Sequence, residues 1–336
     1  MNVLTHGLAS LALVRAAWPR APKQIWLFAA AAGVAADVDL ASAWFGAAAW
    51  TTWHRTYTHS LALSLMVAVL FAAGYRLTSE NCLREKFSVS AAFALAFAAG
   101  LLHLAMDACG WEGAALLWPF SARSFAMDWV VEFDPFIVAV ILGALLFPEL
   151  LHLVSSEIGA RETRPRGRVG ALIGFSIMAL YLAMRADFHG NAVALMDART
   201  FRGEVAKRVG AFPESLSPLT WHGIVETEHA LHLLTVTEGA AASFDSERAE
   251  TLFKPEPSAA LDAAVKTAAA QKFLRVARFP KATVETTTPG TRVELRDLRY
   301  SAVGDAGHAI VVVILLDATN GVLSEQIVWA VQSGPE

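Results

Sequence analysis

Four histidines and three aspartates stand in short motifs in the first third of the chain. They are His6; Asp37 and Asp39 in Asp37-Val38-Asp39; His54 and His59 in His54-Arg55-Thr56-Tyr57-Thr58-His59-Ser60; and His103 with Asp107. Together they form an oxygen–nitrogen ligand set without thiolate. Such a set suits zinc, and also manganese or iron, better than copper(I). Seven donors exceed the need of one tetrahedral ion, so one or two ions fit the count. Two ions can clamp the oxygens of a phosphoester during displacement. Arg55 offers a guanidinium to a phosphate oxygen or an ion pair to a nearby Asp. Asp37 or Asp39, whichever does not ligate, offers a proton acceptor.

Each residue also has a plainer role. Asp37 and Asp39 can cap a helix. His103 and Asp107, four apart on one helix face, can share an intrahelical hydrogen bond. His6, His54 and His59 can be interfacial. What favours a shared site is the elements that carry these residues.

The chain has 336 residues, 55% hydrophobic and 17% charged, with a mean hydropathy of +0.44. Soluble domains carry about a quarter charged residues, so this is a membrane composition. Charge is uneven: residues 1–185 hold 13 Lys/Arg and 12 Asp/Glu, and residues 186–336 hold 14 and 19. The chain therefore reads as an α-helical polytopic membrane domain over 1–185, followed by a soluble α+β domain over 186–336. The net charge of −4 gives no electrostatic case for nucleic acid.

Five apolar runs are long enough, or nearly so, to span a bilayer: Ile25–Phe45, Leu61–Leu77, Val89–Asp107, Pro135–Val154 and the shorter Val169–Met184. Val3–Trp18, interrupted by His6 and Arg15, is a short span, a re-entrant segment or an interfacial helix, for five to six membrane helices in all. No Lys or Arg precedes it, so a cleaved signal peptide is not expected. Asp37 and Asp39 are two apart, so the first long span is expected to end or kink near Gly33 or after Asp39.

Arg15, Arg20 and Lys23; Arg76, Arg84 and Lys86; and Arg161, Arg164, Arg166 and Arg168 lie in alternate loops, while the other two loops hold only Arg55 and Arg123. The positive-inside rule places the rich loops in the cytoplasm. Loops 46–60 and 108–134, and everything after Arg185, then face the periplasm of a bacterial inner membrane. All seven candidate ligands fall at the outer depth. Intramembrane carboxylates and histidines are costly and mark function; a metal compensates that cost. Cys82 and Cys109 fall near opposite faces, so no disulfide is expected.

Asp134 precedes Pro135 as a natural N-cap. Trp44, Trp50, Trp53, Trp111, Trp118 and Trp129 lie at or beyond the outer boundary, as an aromatic belt or a lipid platform. His222, His229 and His232 read as surface or core residues. In the second domain, Ile224–Thr237, Thr291–Tyr300 and Ala309–Leu316 suggest strands, and Ser258–Arg275 a helix.

These residues match a known pattern. Thr5-His6-Gly7, Asp37-x-Asp39, His54-Arg55-x-x-Thr58-His59-Ser60, His103-x-x-x-Asp107, Leu117-Trp118-Pro119-Phe120-Ser121 and Asp134-Pro135 resemble the YdjM-like family of bacterial inner-membrane proteins, described as metal-dependent hydrolases. The resemblance covers about residues 1–155. The His-x-x-x-Asp helix also looks like the zinc sites of bacterial phospholipase C and the P1-type nucleases. That likeness implies His54, His103, Asp107 and one of Asp37 and Asp39 as ligands, although the further histidine motifs of those enzymes have no clear counterpart.

The expected function is a membrane-bound metal-dependent hydrolase of a phosphoester, such as a phospholipid or lipid-linked phosphodiester. A metal or proton transporter is the alternative, but the inner halves of the spans are almost wholly apolar. A non-catalytic, metal-stapled scaffold is the third reading.

Overall fold

A computed structural model describes residues 1–82, 87–157, 167–238, 244, 249–288, 290–302 and 309–330. Arg84, Lys86, Arg161, Arg164 and Arg166 of the basic loops lie outside the described residues. The chain divides into two compact units. The first comprises Met1–Asp39 and Arg55–Ala186, the second Leu40–His54 and Asp187–Glu336.

The first unit is helical. Helix α1 covers Val3–Ala17, α2 Lys23–Gly33, α4 Leu61–Cys82, α5 Val89–Cys109, α6 Pro135–Glu157 and α7 Arg168–Asp197, while α3 (Ala47–Trp53) lies in the second unit. Among the described residues, four helices, α4 to α7, are long and apolar enough to cross a membrane. A fifth span arises if α2 and the 3₁₀ segment Ala35–Phe45 count as one, bent by 47°. The kink expected near Gly33 falls directly after it. At 15 residues, α1 is shorter than a bilayer span of about 20.

Lipid cannot drive helices together by hydrophobicity, so small residues must allow close packing. Accordingly, Ala68, Ala96 and Ala99 are buried together, and a Cβ on Gly100 would lie 3.3 Å from Ser64 of α4. Gly170 and Gly174 of α7 likewise face Pro148 and Ala144 of α6. Large apolar side chains such as Met66, Leu70, Phe147 and Leu180 point outward, as a lipid-facing surface requires. Asp134 caps α6 as its position before Pro135 predicts: its Oδ1 accepts from the amides of Phe136 and Ile137, and its Oδ2 from the Tyr181 hydroxyl at 2.9 Å.

The second unit is β-rich. After a short ribbon, β1 (Thr200–Phe201) and β2 (Glu204–Val205), come two four-stranded antiparallel sheets. One joins β3 (Arg208–Pro213), β4 (Thr220–Glu226), β5 (Ala230–Thr237) and β6 (Glu250–Phe253) in chain order. The other joins β7 (Pro280–Thr286), β8 (Thr291–Asp297), β9 (Ile310–Leu316) and β10 (Val322–Trp329). The run Ile224–Thr237 is thus two strands around a turn. The stretch Ser258–Arg275 is two short helices, α8 (Ala259–Val265) and α9 (Ala268–Leu274). They part at Thr267, whose hydroxyl oxygen caps α9 at Ala270 N. After β8 comes α10 (Leu298–Ala302).

The first sheet packs on the end of α7 through Ala192, Met196 and Trp221. The second sheet packs on α8 and α9, and also on α3: Ala47 and Trp50 are buried among Phe273, Val312 and Ile314. Trp50 meets Trp329 edge-on at 5.7 Å, and Lys272 Nζ donates to the Ala48 carbonyl at 2.8 Å. The segment linking the first two long spans is therefore part of the C-terminal core.

Candidate metal centre

In the first unit, the break after α2 turns Asp37 and Asp39 out of the α-helical path onto a 3₁₀ turn. Such a turn has about 3.0 residues per revolution, so residues two apart point different ways. The structure separates their roles accordingly. Asp39 Oδ2 accepts from the Arg55 amide at 2.8 Å and the Thr58 hydroxyl at 2.7 Å, and lies 3.1 Å from His59 Nδ1. Asp37 Oδ1 instead lies 3.8 Å from His59 Nε2 and 3.7 Å from His103 Nε2.

Asp107, fully buried near the C-terminal end of α5, completes the set. Its Oδ2 is 3.2 Å from His59 Nε2 and 3.0 Å from His103 Nε2. Four donors bonded at about 2.0–2.1 Å to a tetrahedral ion sit about 3.3–3.4 Å apart along the tetrahedron's edges. The four distances from His59 and His103 to the two carboxylates, 3.0–3.8 Å, bracket that value. His103 Nε2, Asp37 Oδ2 and Asp107 Oδ2 are buried and make no hydrogen bond among the described residues. Buried polar atoms are normally satisfied, so these atoms and this donor chemistry fit a divalent ion.

Both imidazoles are oriented from behind. His103 Nδ1 donates to the Gly33 carbonyl at 2.7 Å. His59 Nδ1 faces the Thr58 hydroxyl at 2.9 Å as well as Asp39. Metal-binding histidines characteristically use their second nitrogen in this way. Gly33 reaches His103 because α2 touches α1: a Cβ on Gly33 would fall 1.8 Å from Ser10 Oγ.

Three carboxylates bear on His59. Burial alone would lower the His59 pKa, yet the neighbouring carboxylates of Asp107, Asp37 and Asp39 carry it up to about 10. Carboxylates that hold a proton so firmly on an imidazole also attract a metal ion, which would displace that proton.

Other predicted residues flank the set. His6, buried on α1, stacks on His103 with ring centroids 3.7 Å apart. Its Nε2 lies 3.1 Å from the Met1 carbonyl and 3.2 Å from Asp107 Oδ1. Arg55, at a left-handed φ of 54°, places Nη1 3.3 Å from Asp107 Oδ1 and Nε 2.9 Å from Glu112. The Met1 amino group also contacts Asp107 Oδ1. Two groupings of potential ligands emerge among the described residues: His6 with His103 and Asp107, and Asp37 with His59 and His103. Neither includes His54, which belongs to the second unit and stacks on Trp50 at 3.7 Å.

Thr58 and Glu112 were not singled out by sequence, although Thr58 lies inside the quoted histidine motif. Of the six outer tryptophans, Trp50 and Trp111 are buried and Trp44 is 86% exposed. His222 and His229 pair with Glu214 and Glu204, and His232 is buried. Cys109 is a free, buried thiol.

The model of the YdjM inner membrane protein family matches residues 1–191, more than half of the 336-residue chain. The chain belongs to this family. The YdjM match takes in the described site and α7 as far as its last turns, and leaves the two β-sheets outside. No curated protein and no solved structure matches.

Proposed function

We propose that this YdjM protein is a metal-dependent hydrolase of phosphoesters at the outer face of the inner membrane. The observation that carries the reading is the convergence of the Asp37 and Asp107 carboxylates on His59 Nε2 and His103 Nε2 at 3.0–3.8 Å. An oxygen–nitrogen set of this kind suits zinc best, with manganese or iron also compatible. The ion would supply a Lewis acid and acidify water near neutral pH.

The chain's own groups prepare the site. Asp39 and Thr58 hold the His59 proton at Nδ1, and Gly33 holds that of His103, so both Nε2 lone pairs face inward. Arg55 is taken up by Asp107 and Glu112, so it positions Asp107 rather than reaching outward.

The site lies at the end of the bundle opposite Arg15, Arg20 and Lys23. By the positive-inside rule that end is periplasmic, which puts the ligands at headgroup depth. A phospholipid or other lipid-linked phosphodiester is the substrate class this depth favours. By the same rule, loop 46–60 and the chain after Arg185 face the periplasm.

One observation favours a second reading. Four protein donors on one ion would fill a tetrahedral shell, as in structural zinc sites; catalytic zinc usually keeps three and leaves a position open. The test is metal content of purified protein, wild type beside His103→Ala and His54→Ala, with hydrolysis of lipid and model phosphodiesters measured on the same samples. Metal in wild type and its loss in His103→Ala, with turnover following the metal, is the expected result. Full metal without turnover on any ester would establish the staple, and no metal in wild type would remove both.

A further inference from the structure

The two oxygens of Asp107 face opposite kinds of partner. Among the described residues, three hydrogen donors stand around Oδ1. Arg55 Nη1 is at 3.3 Å and the Met1 amino group is in contact. His6 Nε2 sits at 3.2 Å from it, and its other neighbour, the Met1 carbonyl at 3.1 Å, is also an acceptor. A ring nitrogen between two acceptors carries its proton there. Around Oδ2 stand two Nε2 atoms, of His59 and His103, whose rings hold their protons at Nδ1.

We infer that the centre takes a single divalent ion, on the Oδ2 side, and that Arg55 with its neighbouring donors stands where a second ion would have to bind. This rests on the metal reading above. Three steps lead to it. First, the two possible ligand groupings share His103, and its Nδ1 is committed to Gly33. An imidazole nitrogen has one lone pair, so His103 serves one ion only.

Second, without His103 the other grouping keeps only His6 and Asp107 Oδ1. Two donors are fewer than the three or four a zinc site uses. Third, paired catalytic ions lie about 3.5–4 Å apart across bridging ligands. An ion on Oδ1 would then meet the Arg55 guanidinium, whose own distance from that oxygen is 3.3 Å. Like charges at such range, in a buried site, oppose binding.

His6 is accordingly a positioning residue. It stacks on His103 and occupies Oδ1, leaving Asp107 to present one oxygen. The arrangement is a carboxylate shared between a fixed guanidinium and one ion.

The test is stoichiometry in the detergent-solubilised full chain, by elemental analysis and by Co²⁺ titration followed by optical and paramagnetic resonance spectra. One ion per chain, with the signal of isolated Co²⁺, is expected. His6→Gln should keep one ion and the same tetrahedral Co²⁺ band. Arg55→Met, which removes the charge beside Oδ1 and leaves the Glu112 carboxylate without that ion pair, should take up a second ion.

Two ions in wild type, or spin-coupled Co²⁺, would overturn the inference while leaving the metal reading intact. Loss of the ion in His6→Gln would overturn it too, by making His6 a ligand. One ion in both wild type and Arg55→Met would show that Arg55 does not hold the second place. Zero ions in wild type would instead remove the metal reading on which it rests.

Discussion

His103 Nδ1 hydrogen-bonds the carbonyl oxygen of Gly33 across 2.7 Å. The last carbonyls of an α-helix have no partner within it, and the 47° bend after Gly33 leaves that oxygen aimed at α5. One backbone break therefore both orients His103 and releases Asp37 and Asp39 from the helix. Gly33→Ala would drive a methyl into Ser10 Oγ and shift α2 away. Chelator competition should show metal affinity falling about 10- to 100-fold, the usual range for loss of an orienting partner. Ser10→Gly added to Gly33→Ala removes the clash and should restore most of the affinity, less the cost of a helical glycine, about 1 kcal/mol. No rescue would mean that the contact with α1 does not set this geometry.

Asp37 and Asp39 should part company. Asp37→Asn removes a donor of the tetrahedral set and is expected to abolish stoichiometric metal binding. Asp39→Asn leaves the set whole but weakens the hold on His59. Stoichiometry should persist with affinity about 10- to 100-fold lower. Equal loss of metal in both variants, measured by elemental analysis, would contradict the division of roles.

Trp50 ties Leu40–His54 into the second sheet's core. Trp50→Ala should cost about 3–5 kcal/mol, as for large aromatic truncations in cores. It should also open the segment to limited proteolysis, with new cleavage mapped between Leu40 and His54. Unchanged protection would mean that other contacts hold the segment.

Asp297 gives the second unit an acid sensitivity. Burial raises its pKa, but Arg299 and the backbone amides of Arg278 and Arg299 outweigh that and leave it lowered. A carboxyl with a lowered folded pKa adds stability above its unfolded value, about 3.9, and loses it as pH falls toward the folded value. Asp297→Ala removes the carboxylate partner of the 5%-exposed Arg299 and should cost about 3–5 kcal/mol at pH 7. The difference from wild type should shrink below about pH 4. Denaturant unfolding followed by tryptophan fluorescence at several pH values measures both.

Orientation can be read at Leu216, 81% exposed in the second unit. Leu216→Cys, in a chain whose own cysteines are replaced, should react with a membrane-impermeant maleimide in intact spheroplasts. Reaction only after lysis would reverse the proposed orientation.

Much of this was legible from sequence. The apolar runs marked the helices, because a bilayer demands length and apolarity. The scarce Lys and Arg marked one side, and the candidate ligands gathered opposite. Which of Asp37 and Asp39 faces the other donors was not legible, because it depends on a 3₁₀ turn that no periodic pattern announces. Glu112 reaches Arg55 through the path of an irregular loop. The fate of Leu40–His54 was hidden for another reason: Leu40–Phe45 continues an apolar run, and Trp50 reads equally as a membrane-belt or a protein-core residue.

The seat of Trp50 also imposes a timetable. Trp329, against which it packs, is made roughly 280 residues later, which at about 5–20 residues per second is a delay of about 14–56 s. Throughout that interval the helix α3 must wait, apolar face uncovered, between segments already threaded into the bilayer. Synthesis of α9, the second sheet and finally Trp329 is what closes it, so a chain stalled before α9 would display an open tryptophan where a finished one buries it.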